Sequence, residues 1–264
     1  MKLKLIALAA MLAAGSANAA ILDGSSAASG GNGELFMTVL DSVGQKSYTL
    51  DLNLTMNDFL AGIAVSGASY NYGADANMSS FLSMVAPADK SGLVFAIGAM
   101  DASGATATDF HRYITTASVI DAATDTNFNL KFLGASGAQL LADTNTQIGA
   151  GASVIVTDPS YMSYAGSAQW GSNWGSAFNG VSTGLIGNDL GMYLLSQTSG
   201  AYAVRNSASV YSALEQGGSQ VFANLDMNGN LTIAAAVPEA ETYAMMLAGL
   251  GLVGFMAARR RSMI

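Results

Sequence analysis

The chain has no cysteine, one histidine and only three prolines among its 264 residues. Without cysteine there are no disulfides, so an exported form must be held by its own core. Thiolate metal sites and cysteine nucleophiles are excluded with them. The lone histidine, His111, cannot build a multi-histidine zinc centre. Basic residues are scarce too. Between residues 20 and 236 stand Lys46, Lys90, Arg112, Lys131 and Arg205 against fourteen Asp and two Glu, a balance of about −11. That part of the chain is no nucleic-acid binder, which needs cations to displace phosphate counterions. Nor does it suit an anionic surface. The pattern G-x-x-x-x-G-K-[ST] is missing. The single G-x-G-x-x-G, Gly249 to Gly254, lies in an apolar stretch rather than after a strand, so no phosphate-cradling loop is expected. No internal repeat of fixed period is found.

What the chain does have begins at its ends. MKLKLIALAAMLAAGSANAA places Lys2 and Lys4 before an apolar stretch from Leu5 to about Ala14. It closes on Ala17-Asn18-Ala19, the small-x-small pattern of signal peptidase. Residues 1–19 therefore read as a cleaved signal peptide; as an anchor the apolar stretch is too short to span. At the other end Tyr243–Ala258 is uncharged and is followed by Arg259, Arg260 and Arg261. Sixteen helical residues rise ~24 Å, and flanking residues with snorkelling arginine stems extend that reach toward a ~30 Å hydrocarbon core. A core helix would not be apolar all the way round. The segment reads as a transmembrane helix over 243–258, with the basic end 259–264 left in the cytoplasm.

The body, residues 20–236, reads as mainly β. In SYTLDLNLTMND the apolar Tyr48, Leu50, Leu52, Leu54 and Met56 alternate with polar neighbours, which puts one face of a strand in the core. Glu34–Asp41 precedes it and completes a hairpin. Further strands are expected over 92–101, 111–116, 127–134, 152–157 and 191–200. The segment 220–236 reads as a hairpin turning at Asn228-Gly229 in a two-residue type I′ turn. Short helices are expected over 80–85, 138–144 and 207–215. Many short strands between Gly, Asn, Ser and Asp clusters suggest an antiparallel β-sandwich or jelly-roll-like ectodomain with short helices.

Chemistry in the body is sparse. Asp109 lies two residues from His111 and could orient its imidazole on one strand face. Gly180-Val181-Ser182-Thr183-Gly184 matches G-x-S-x-G, yet it sits in a polar glycine-rich stretch with no histidine after it, against the hydrolase order. Asp226-Met227-Asn228-Gly229-Asn230 begins like a calcium loop, but Leu231 and Val237 stand where such a loop needs Gly and Glu. Trp170 and Trp174 are candidate ligand-binding aromatics, with capping of the core as the alternative. No catalytic residue, metal or cofactor is expected.

The tail carries more. Val237-Pro238-Glu239, an apolar span and a terminal arginine cluster, in that order at the C-terminus, resemble the PEP-CTERM protein-sorting signal. In that family the tail is a sorting tag, recognised by the integral-membrane protease and transpeptidase exosortase. The resemblance covers residues 237–264. It implies that Val237, Pro238 and Glu239 form the sorting motif, with Ala240 in place of its second proline. It also implies an inner-membrane-anchored precursor destined for the cell surface or biofilm matrix of a Gram-negative bacterium that makes exopolysaccharide. The expectation is an exported structural or adhesive matrix protein, not an enzyme, with exosortase, the inner membrane and exopolysaccharide as partners. A carbohydrate-binding surface module is the alternative, and an extracellular hydrolase using Ser182 with His111 or an Asp pair a more remote one.

Overall fold

The computed structural model describes residues 20–25, 31–101, 112–118, 127–149, 151–167, 182–196 and 210–236. The chain opens with the hairpin of β1 (Glu34–Asp41) and β2 (Lys46–Thr55). At Thr55 the alternation ends because a helix cap intervenes. Thr55 Oγ1 accepts from the Asp58 N–H and donates to the Asp58 carboxylate, a reciprocal cap that starts α1 (Met56–Ile63). Met56 thus opens the helix rather than continuing the strand. With Phe59 and Ile63 it forms the buried stripe of α1.

Then follow β3 (Ser69–Tyr72), α2 (Ala76–Met84), a 3₁₀ turn (Lys90–Gly92), β4 (Val94–Met100), β5 (Arg112–Ala117) and α3 (Asn127–Ile148). After these come β6 (Ser153–Val156), β7 (Gly184–Leu185), β8 (Asp189–Ser196), β9 (Val210–Ala213), β10 (Glu215–Gln216), β11 (Ser219–Leu225) and β12 (Leu231–Ala235). All the strand pairings described are antiparallel and belong to one sheet. Its main order is β3-β12-β11-β8-β5-β4-β1-β2-β6.

The sheet curls into a half-barrel. Tyr72 on the β3 edge donates its hydroxyl to the Leu52 carbonyl of β2 at 3.1 Å, so strands at opposite sides of the order meet. Helix α2 fastens the gap. Asp75 caps it by accepting from Met78 N–H, and the other Asp75 oxygen accepts from Ser153 on β6. Asn77 adds bonds to the Ser153 carbonyl and hydroxyl at 3.0 and 2.9 Å. Burial and the Asp75 charge push the adjacent Tyr48 phenol well above its ordinary range.

The two faces of the sheet bury separate cores. The concave face gathers Leu35, Met37, Tyr48, Leu52, Phe95, Ile97, Leu225 and Ile233 around Phe59 of α1 and Phe81 of α2. The convex face packs Phe36, Ala96, Met100, Tyr113 and Leu195 beneath Leu140, Leu141 and Ile148 of α3. Polar residues of β2 are consequently buried as well: Ser47, Thr49 and Asp51 are all under cover.

The sandwich or jelly-roll expectation is corrected here. There is no second sheet among the described residues; the concave side is filled by α1, α2 and the returning sheet. Alternation shows that a strand face is buried but not what buries it. Two expected elements also change type. The strand over 127–134 is the first part of α3, because the helical run continues to Ile148 and length decides between the two readings. In the expected helix over 207–215, the described part forms β9 and β10. Gly217 and Gly218, both with positive φ, turn β10 back onto β11 in a two-residue hairpin.

The hairpin at Asn228-Gly229 exists but has a five-residue loop between the Leu225–Leu231 pair. The Asp226 carboxylate accepts from the N–H groups of Asn228 and Asn230 at 2.9 and 2.8 Å. These bonds close that wider turn, as a short acidic side chain often does. Asp226 therefore acts as a turn brace. The described parts of the remaining expected strands and helices overlap β4, β5, β6, β8, α2 and α3, while His111 and residues 197–200 lie outside the described residues.

Candidate functional site

The body hands over to its tail at β12. This strand is held on both sides, by β11 through Leu225–Leu231 to Val221–Ala235 and by β3 through Tyr72–Leu231 to Ser69–Ala234. One residue beyond, the Ala236 N–H donates to the Gln220 carbonyl at 3.0 Å. The sheet therefore grips the chain up to the residue before Val237.

Strand register fixes the height of that point. Phe222 pairs with Gly191, so Gln220, two residues on, stands level with Tyr193. Tyr193 pairs with Thr115, Thr115 with Gly98, Gly98 with Phe36 and Phe36 with Asp51. Ala236 thus lies toward the rim crossed by α1, which runs from the end of β2 to the start of β3. The hairpin loops 42–45 and 226–230 form the opposite rim.

The N-terminal segment is docked near the α1 rim too. Leu22 N–H donates to the Glu34 carboxylate, and Glu34 N–H donates to the Leu22 carbonyl, each at 2.8 Å. Asn145 of α3 clasps Ile21 from the other side: its carbonyl accepts from Ile21 N–H at 2.8 Å and its amide donates to Ile21 O at 3.0 Å. Ile21 is buried in the convex core. Gly33 permits this crossing, since any Cβ there would collide with the Met100 carbonyl.

An acidic corner lies beside this segment. The register shifts between Glu34 and Phe36, a bulge accompanied by a positive φ at Asn53. Asp51 accepts from the Asn53 N–H at 2.7 Å. Burial pushes the Asp51 carboxyl up to about 6, with the Asn53 bond pulling down and the Glu34 charge adding to the rise. Glu34 is raised by burial as well, against the pull of the Leu22 N–H. Raised carboxyl pKa values are a mark of functional sites, but these oxygens hold backbone N–H groups and shape the corner. Sequence reading misses this corner, because the buried Asp51 looks like the solvent side of an alternating strand. Among the described residues no three His, Cys, Asp or Glu side chains gather as a metal site.

Ser182 is buried, its carbonyl accepting from the Thr116 hydroxyl at 3.0 Å. It borders a convex-side cavity of about 120 Å³ with Thr38, Phe95, Ala165 and Thr183. His111 lies outside the described residues. Its neighbour Arg112 is four residues along β5 from Thr116, a span of roughly 13 Å at strand rise. Arg112 bonds Asn57 instead. Trp170, Trp174, Val237, Pro238, Glu239, Arg259, Arg260 and Arg261 also lie outside the described residues, as does the apolar stretch 243–258. Among those described, no helix is long and apolar enough to cross a membrane.

Residues 236–261 match the family of the PEP-CTERM protein-sorting motif. No curated protein and no solved structure matches the chain. The C-terminal region is thus a PEP-CTERM sorting signal. Such signals are processed by exosortase, a membrane protein, and imply an exported protein that passes through a membrane-anchored precursor. The match begins at Ala236, where the grip of the sheet ends.

Proposed function

We propose that the mature protein is a non-enzymatic surface or matrix component of a Gram-negative bacterium, structural or adhesive in role, with exopolysaccharide among its partners. In this reading residues 1–19 are removed as a signal peptide and 243–258 holds the precursor in the inner membrane. Arg259, Arg260 and Arg261 remain in the cytoplasm, and Val237-Pro238-Glu239 is presented to exosortase. The single observation that carries the reading is the sorting motif placed directly after the last strand of a folded body. Supporting it, described acids such as Asp58, Asp75, Asp226 and Glu34 are engaged in caps, a turn and the N-terminal segment.

Intact-mass measurement of the protein from its host, with cell fractionation, tests the proposal. The expected product lacks residues 1–19 and the tail from about Pro238, and is found outside the inner membrane. A chain that still runs to Ile264 in the inner membrane would refute processing and make Ala240 the first residue to restore to proline. Turnover of a substrate by the purified body, abolished by one point substitution, would refute the non-enzymatic role.

A further inference from the structure

The tether between body and membrane is short, and it leaves from one rim. Ala236 is bonded into the sheet, and only residues 237–242 separate it from the apolar stretch beginning at Tyr243. Fully extended, six residues reach at most about 20 Å. From Ala236 back to Asn230, at the opposite rim, the chain also covers six residues, again ~20 Å at strand rise. An inverted body would need the whole tether laid along its wall, with nothing left to cross the headgroup layer before Tyr243.

The N-terminal segment adds a second constraint. Leu22 is paired with Glu34, which lies two residues beyond Phe36, and hence beyond the level of Ala236, toward the same rim. Two residues of strand amount to roughly 7 Å. The body therefore receives the chain after its leader, and releases it before its tail, at the α1 rim. Around Ala236 that rim is made of small uncharged residues. The loop 64–68 precedes β3, the partner of β12, and Gly217-Gly218 turns into β11. Gln216 ties the two together, accepting from Gly67 N–H at 3.1 Å and donating to the Ile63 and Ala68 carbonyls. Val65 stands out from this loop, 57% exposed, and the exposed charges nearby are Glu215 and Asp58 of α1.

We propose that in the anchored precursor the half-barrel stands on its α1 rim, with loop 64–68 and the Gly217-Gly218 turn against the phospholipid headgroups. The hairpin rim, with Val43 and Met227, then points away from the bilayer. This rests on the reading of 243–258 as the membrane segment.

The absence of native cysteine makes the test direct. Single variants Val65→Cys, Val43→Cys and Met227→Cys of the full chain, at side chains 57%, 72% and 48% exposed, are labelled with a fluorophore. Each is reconstituted into phospholipid vesicles carrying a headgroup-attached quencher. The label at Val65 is expected to be quenched several-fold more than those at Val43 and Met227. Equal quenching, or stronger quenching at the hairpin rim, in chains that float with the vesicles would overturn the orientation and leave anchoring intact. Failure of the full chain to float with vesicles would overturn the anchoring itself, and the orientation with it.

Discussion

At the scale of single residues, Asp51 is the group whose surroundings work against it. Its carboxyl is raised to about 6 in the folded protein from an ordinary 3.8. Between those values the folded state binds more protons than the unfolded one, so stability falls as pH rises. The contribution is full below pH 3.8 and lost on passing about 6. Glu34, raised in the same direction, extends the effect. At pH 7 the charged Asp51 costs on the order of 3 kcal/mol. Asp51→Asn keeps an oxygen for the Asn53 N–H and removes the charge. It is expected to raise the urea midpoint of the 20–236 body at pH 7 and to flatten its decline between pH 4 and 7. Unchanged pH dependence in the variant would show that Asp51 is better solvated than its burial indicates. The sequence hides this residue because Asp51 follows the polar beat of SYTLDLNL, and nothing in the beat says that the polar face is covered.

At the scale of elements, closure depends on α2 and its cap. Asp75→Ala removes the cap, worth ~1 kcal/mol, and takes away the acceptor of the Ser153 hydroxyl, a further ~1–3 kcal/mol for a buried polar group left unpaired. Urea denaturation is expected to show a loss of about 2–4 kcal/mol. Asp75→Asn, which can still cap, should lose less; equal losses would mean that the charge, not the cap, matters. Much at this scale is legible in the sequence. The β1–β2 hairpin, β4, β5, β6, β8 and the β11–β12 hairpin follow from alternation and apolar runs. Local pattern misleads where it is ambiguous: Phe128, Leu130 and Phe132 alternate as a strand would, but belong to a helix continuing to Ile148. β3, with the short SYNY, lacks an apolar run and takes its place by pairing with β12. The curl is beyond sequence reading, since it depends on Tyr72 meeting Leu52 twenty residues away.

At the scale of the whole molecule, the boundary between body and tail becomes a quantitative expectation. A chain of residues 20–236 keeps every described strand and is expected to be folded and soluble, with a single cooperative transition. A chain ending at Asn230 loses β12, whose Leu231 and Ile233 are each 1% exposed. Such buried aliphatics contribute ~2–5 kcal/mol apiece, which with the lost ladder rivals the total stability of a typical domain. Circular dichroism should find the shorter chain unfolded; a folded one would mean that β11 and β3 close without the strand between them. The separation of the two cores by the sheet has a further consequence. Among the described residues the concave cluster and the convex cluster share no side chain, so a change of volume on one side leaves the packing partners on the other in place. The two faces are free to accept substitutions on separate schedules, and one polypeptide can accumulate two nearly independent records of change.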